Sequence, residues 1–151
     1  MLVLLLTITA CQRTDELELR TDRAPLDRRV VLPSGVRGVQ WVAVPAYADS
    51  GFLEAPEKPY DLYAFIVLDA PVVSPPRNPS PEQAVTLPAA VARAILPAAL
   101  YAAARAKGAS VELSGEALSA PLTLKTREVS LKAAARFDAG LLVRLYLSGG
   151  A

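Results

Sequence analysis

The sequence predicts an α+β fold: a single domain on a largely antiparallel sheet, with an Ala-rich helical segment and a short second helix. Three observations predict it. Apolar residues alternate with a period of two at 36–44, 60–68 and 141–147, the spacing of strands rather than helices. Residues 82–107 are instead rich in alanine, with Pro88-Ala-Ala and Pro97-Ala-Ala recurring nine residues apart. The resulting order is strands, helical segment, strands, short helix, strand, which does not alternate as βα units would.

Each element has its own signal. Residues 12–29 hold five acidic and five basic side chains and few apolar ones, the composition of a solvated tether. Only Glu16-Leu17-Glu18-Leu19 alternates there. Fully extended, those residues would reach ~60 Å. Val30-Val31-Leu32 leads into the turn signal Pro33-Ser34-Gly35. In 36–44, Val39, Trp41 and Ala43 share one face and Gln40, Val42 and Val44 the other, a strand stopped by Pro45. Residues 45–59 then read as a long proline-containing loop.

Residues 60–68 alternate Leu62, Ala64, Ile66 and Leu68 with Tyr63, Phe65 and Val67, so both faces are apolar and the strand belongs inside a sheet. Pro71, Pro75, Pro76, Pro79 and Pro81 follow, which excludes regular structure there. In 82–107 either each proline stands at the first position of one of two short helices, or Pro97 kinks a single helix. Val91, Ile95, Ala98, Ala99 and Ala102 form the expected apolar face, and Gly108 the expected C-terminal cap. Residues 111–113 and 122–126 alternate as half-exposed strands. Ser130 is placed to cap a helix over 131–138 that stops at Gly140, and 141–147 closes the sheet before Ser148-Gly149-Gly150.

Composition excludes more than it suggests. The chain has 151 residues, 52% hydrophobic and 21% charged, within the globular range. Its net charge of +1, from 16 basic and 15 acidic residues, lacks the basic excess that nucleic acid demands. It contains no histidine and one cysteine, Cys11. No disulfide can therefore form after that position, metal sites lose their usual ligands, and neither a Ser-His-Asp nor a Cys-His mechanism can be assembled. Gly-x-Gly-x-x-Gly, the phosphate loop, Gly-x-Ser-x-Gly and Ser-x-x-Lys are all absent. The remaining catalytic idea is a carboxylate pair drawn from Asp49, Glu54, Glu57 and Asp61, as glycosidases use. Solvated loop charge explains those residues more simply, since nothing marks a pocket there. Trp41, Tyr63 and Phe65 sit at strand spacing and read as core. Tyr47, Phe52 and Tyr60 lie in or beside the irregular segment, where they either contact a partner or fold back on the domain.

Residues 2–10 form an uninterrupted run of apolar and small residues that ends in Ile8-Thr9-Ala10-Cys11. Nine residues make a helix of roughly 14 Å, half the ~30 Å hydrocarbon thickness, so the run suits a secretory signal rather than a span. The pattern resembles the lipobox of bacterial lipoproteins. That resemblance covers residues 1–11 only. It implies cleavage before Cys11, acylation of Cys11, and attachment to a membrane of the cell envelope. Gln12 following the cysteine resembles cargo sent to the outer membrane in double-membraned bacteria. The expected organisation is a signal at 1–10, the lipidated Cys11 and tether at 11–29, a domain at 30–148 and a tail at 149–151. The expected function is a non-catalytic binding or assembly module without cofactor or metal, its partner an envelope protein or the cell wall. A periplasmic carrier of an apolar ligand is the alternative, and a carboxylate-based hydrolase the third reading.

Overall fold

A computed structural model of the chain describes residues 17–46, 59–69, 81–118 and 122–148. In chain order they form α1 (Ala24–Asp27), β1 (Val36–Pro45), β2 (Tyr60–Leu68), β3 (Glu82–Pro88), α2 (Ala89–Ile95), α3 (Ala98–Ala103), β4 (Arg105–Lys107), β5 (Ser110–Ala117), β6 (Val129–Phe137) and β7 (Gly140–Leu147). The fold is mostly β: one antiparallel sheet with three short helices. The strand order is β1-β2-β7-β6-β5-β3, with β4 also on β5.

The two-faced alternation of β2 has the consequence expected of it. Ala64 lies opposite Trp41 of β1 on one side and Val143 of β7 on the other. The first face of the sheet gathers Val39, Trp41, Leu62, Ile66, Leu141 and Val143 with Leu26, Val30 and Leu32 from the amino-terminal segment. The second gathers Val42, Tyr63, Phe65 and Leu142 with Val85, Leu87, Val111 and Leu113 around α2. Val91, Ala92 and Ile95 of α2 are buried there. Because α2 touches β1, β2, β3 and β5, strands from both ends of the order, the sheet curls around it. β5 pairs with β6 only at Glu116–Arg136 and Ala117–Ala135, so the two strands overlap only at their carboxy-terminal ends.

Several expectations are corrected. The helix expected at 131–138 is strand β6, which folds back on β7 through Asp138 and Ala139. Three consecutive alanines favour a helix locally, but pairing along all of β7 outweighs a propensity of tenths of a kcal/mol per residue. The register also shifts between Leu131 and Ala133, and that bulge hides the period of two. Residues 82–107 are not helical throughout. They open with β3, whose Val85 and Leu87 point into the core, and close with β4. Two helices lie between. Pro88 and Pro97 stand at their N-caps in extended geometry (ψ 140° and 146°), one position earlier than expected. Ala98, Ala99 and Ala102 are exposed, and Leu100 and Tyr101 are the residues of α3 that lean on the core. Gly108 does take positive φ (64°), in the β4–β5 turn rather than as a helix cap.

The segment 122–126 is not a sheet strand. It makes a single bridge, Val30 with Leu124, in which Val31 N–H donates to Thr123 O and Lys125 N–H to Arg29 O. The described part of the expected tether, though exposed over residues 18–24, is fixed to the sheet at a few points. Arg20 and Trp41 exchange backbone hydrogen bonds of 2.9 Å, and Trp41 Nε1–H donates to Asp22 O at 2.9 Å. Leu26 of α1 is 1% exposed. The many charges in this stretch lie on its outer side, while a few apolar residues fix it to the sheet. Among the described residues, no helix is long and apolar enough to cross a membrane.

Candidate functional site

The second face of the sheet is apolar up to Tyr63 and becomes polar in the next rows. The β2–β7 register sets Tyr63 opposite Arg144 and Asp61 opposite Tyr146. Alternation along the two strands points all four to the same face. Arg144 forks onto Asp61, donating from Nη2 to Oδ2 at 3.1 Å and from Nε to Oδ1 at 3.3 Å. Its guanidinium carbon also lies 5.4 Å from the centre of the Tyr63 ring. The β6 bulge extends this row. Leu131 opposes Leu145 and Ala133 opposes Arg144, so Lys132 is the extra residue. Its ammonium stands 5.1 Å from the centre of the Tyr146 ring, a cation–aromatic contact that an unbulged strand would not make.

These contacts occupy the Asp61 carboxylate and hold the Arg144 guanidinium in place. Both Asp61 oxygens are engaged by Arg144, and the pair is mostly shielded, with 14% of the Asp61 side chain and 36% of the Arg144 side chain exposed. The Asp61 hydrogen bond, opposed by burial and aided by the charges of Tyr63 and Asp61, keeps the guanidinium above its ordinary range. Burial raises the Tyr63 phenol above the usual tyrosine value; Arg144 opposes that shift and Asp61 adds to it. Tyr63 therefore holds its proton more tightly in the folded chain than in the unfolded one. This stabilisation is complete below about pH 10 and is lost as pH rises through the raised value. In an ultraviolet titration, Tyr63 is expected to ionise as a late step, above the ordinary tyrosine value. Tyr63→Phe should remove that late step and flatten the alkaline loss of stability. A late step that persists in Tyr63→Phe would contradict this.

Beside the row, where the β5–β6 pairing ends, lies a depression of about 260 Å³ lined by Gln83, Leu118, Leu131, Lys132 and neighbouring alanines. It is smaller than a typical small-molecule site of roughly 300–1,000 Å³. Among the described residues, no three His, Cys, Asp or Glu side chains are grouped to hold a metal ion.

The sequence-predicted site residues fall into two groups. Cys11, Tyr47 and Phe52 lie outside the described residues, as do Asp49, Glu54 and Glu57. Tyr60 is half-buried at the start of β2, between Pro45 and Leu147 and next to Asp61. Trp41, Tyr63 and Phe65 are buried, as their strand spacing predicts. Sequence reasoning missed Arg144, Tyr146 and Lys132. Arg144 had a signal: it is the one charge in an otherwise apolar strand, at a position facing Tyr63. Lys132 had none, because the bulge that aims it is set by tertiary pairing.

No family model matches this chain, and no curated protein or solved structure matches it either.

Proposed function

We propose that this chain is a lipid-anchored protein of the bacterial cell envelope, acylated at Cys11, whose folded domain is a non-catalytic binding or assembly module. The observation that carries the reading is the apolar run closed by Ile8-Thr9-Ala10-Cys11, with Cys11 the sole cysteine. Two acyl chains anchor a protein stably, at about 0.8 kcal/mol per buried methylene, whereas one holds it marginally. The occupied Asp61 carboxylate and the lack of histidine support a module that binds rather than catalyses. A carrier of an apolar ligand finds less support, because Val91, Ala92 and Ile95 already fill the space inside the curled sheet.

The proline-containing connections remain the proposed contact segments, with Tyr47, Phe52 and Tyr60 as partner-contacting side chains. They attach to opposite ends of β2, at Pro59 and Asp69, about 30 Å apart.

Replacing Cys11 with Ala is expected to leave an uncleaved precursor, or a protein that no longer partitions into detergent or membranes. The measurement is cell fractionation with detergent-phase partitioning. Unchanged membrane association of Cys11→Ala would remove the basis of this reading.

A further inference from the structure

We infer that the end of the sheet carrying Leu17, Tyr60, Tyr146 and Lys132 faces the bilayer, with Lys132 and Tyr146 at the level of the phospholipid headgroups. This rests on the proposed acylation of Cys11 and adds an orientation to it: the connection that leaves at Ala46 and returns at Pro59 starts and ends on the membrane side, so the partner proposed for Tyr47, Phe52 and Tyr60 is one held at the bilayer.

The amino-terminal segment fixes the direction. Arg20 pairs antiparallel with Trp41 of β1, so residues before Arg20 run toward the Pro45 end of that strand. Leu17 is packed against the second-face cluster there. The sheet register collects the same end of four strands: Pro45 faces Tyr60, Tyr60 faces Leu147, and Leu147 faces Val129. Tyr146 and Lys132 follow within one to three positions. Only six steps of chain separate Cys11 from Leu17, a reach of at most ~22 Å. A ten-residue strand such as β1 is longer than that, about 33 Å. The tether thus ties one end of the sheet to the acyl chains and leaves the other end, at Arg37, the farther from them.

The side chains at the tied end fit that surface. Lysine and tyrosine each combine an apolar body with a polar tip, which suits the boundary between acyl chains and headgroups. Lys132 is exposed and its ammonium lies over the Tyr146 ring, where its N–H groups can also donate to headgroup phosphate oxygens. Glu18 and Glu128 stand near the same end as Lys132 and Arg127. With charges of both signs there, the contact does not depend on anionic lipid.

The test uses the full acylated chain in phosphatidylcholine vesicles containing headgroup-spin-labelled lipid. Fluorophores are placed on the exposed variants Lys132→Cys and Arg37→Cys; acylated Cys11 has no free thiol to react. Quenching at 132 is expected to exceed that at 37 several-fold. As a label-free measurement, amide exchange at Tyr146 and Leu147 should slow in vesicles relative to detergent, and exchange at Gly38 should not. Equal quenching at both sites, or stronger quenching at 37, overturns the orientation and leaves the anchor standing. A purified chain whose mass lacks the acyl groups overturns both.

Discussion

Ile66→Asp is expected to leave the chain unfolded. Ile66 is 1% exposed in β2, flanked by Val39 of β1 and Leu141 of β7, and belongs to the cluster that also holds Leu26 and Val30. The substitution removes the packing of a full aliphatic side chain and places a carboxyl inside a cluster of buried apolar residues. An uncompensated buried charge costs several kcal/mol, against a total stability of about 5–15 kcal/mol for a domain. Ile66→Val, by contrast, should cost only about 0.5–1.5 kcal/mol. Circular dichroism with thermal melting distinguishes these outcomes. An Ile66→Asp protein that melts cooperatively at the wild-type temperature would mean that β2 is not internal to the sheet.

Gly140→Val is expected to be nearly as damaging, for a different reason. Gly140 opens β7 directly after the Asp138-Ala139 turn, where it pairs with Phe137 on one side and Val67 on the other. A Cβ built on it would overlap the carbonyl oxygen of Ile66 and come within 3.3 Å of Phe65 Cζ. The obstructing atom is backbone, in the middle of the sheet, so relief requires β7 to move away from β2. Close backbone approach of this kind is a recurrent use of glycine within strands. A loss of about 3 kcal/mol or more is expected, in the range reserved for changes that strain or repack a core. Denaturant unfolding provides the measurement, and a midpoint within error of wild type would contradict the packing at this junction.

Which parts of the fold were legible follows from where the pattern is local. β1, β2 and β7 were readable because every second side chain goes to the same apolar face, and the structure sorts Val39, Trp41 and Ala43 from Val42 and Val44 as the alternation does. β6 was not readable, since the bulge at Lys132 breaks its alternation and its alanines mimic a helix. β3 was absorbed into an alanine-rich reading although Val85 and Leu87 alternate correctly, because seven residues beside a helix give a short signal. The amino-terminal segment misled through its charges. Leu17 and Leu26 attach it to the sheet, and two backbone hydrogen bonds between Arg20 and Trp41 hold it at the edge of β1. Of the polar row, only Asp61 and Tyr63 attracted notice. Its assembly with Arg144, Tyr146 and Lys132 depends on cross-strand register, which no local pattern contains.

Packing of residue 17 onto the sheet also changes what an anchor at Cys11 means. A tether running to residue 29 would lift the domain well clear of the membrane, whereas one ending at Leu17 holds it close. Everything proposed about location and orientation therefore turns on the chemistry of a single residue. The direct measurement is the mass of the intact protein purified from membranes, together with that of its amino-terminal peptide. The expected result is a chain that begins at Cys11 and carries diacylglycerol on its sulfur. A chain retaining residues 1–10, with Cys11 as a free thiol, would contradict it.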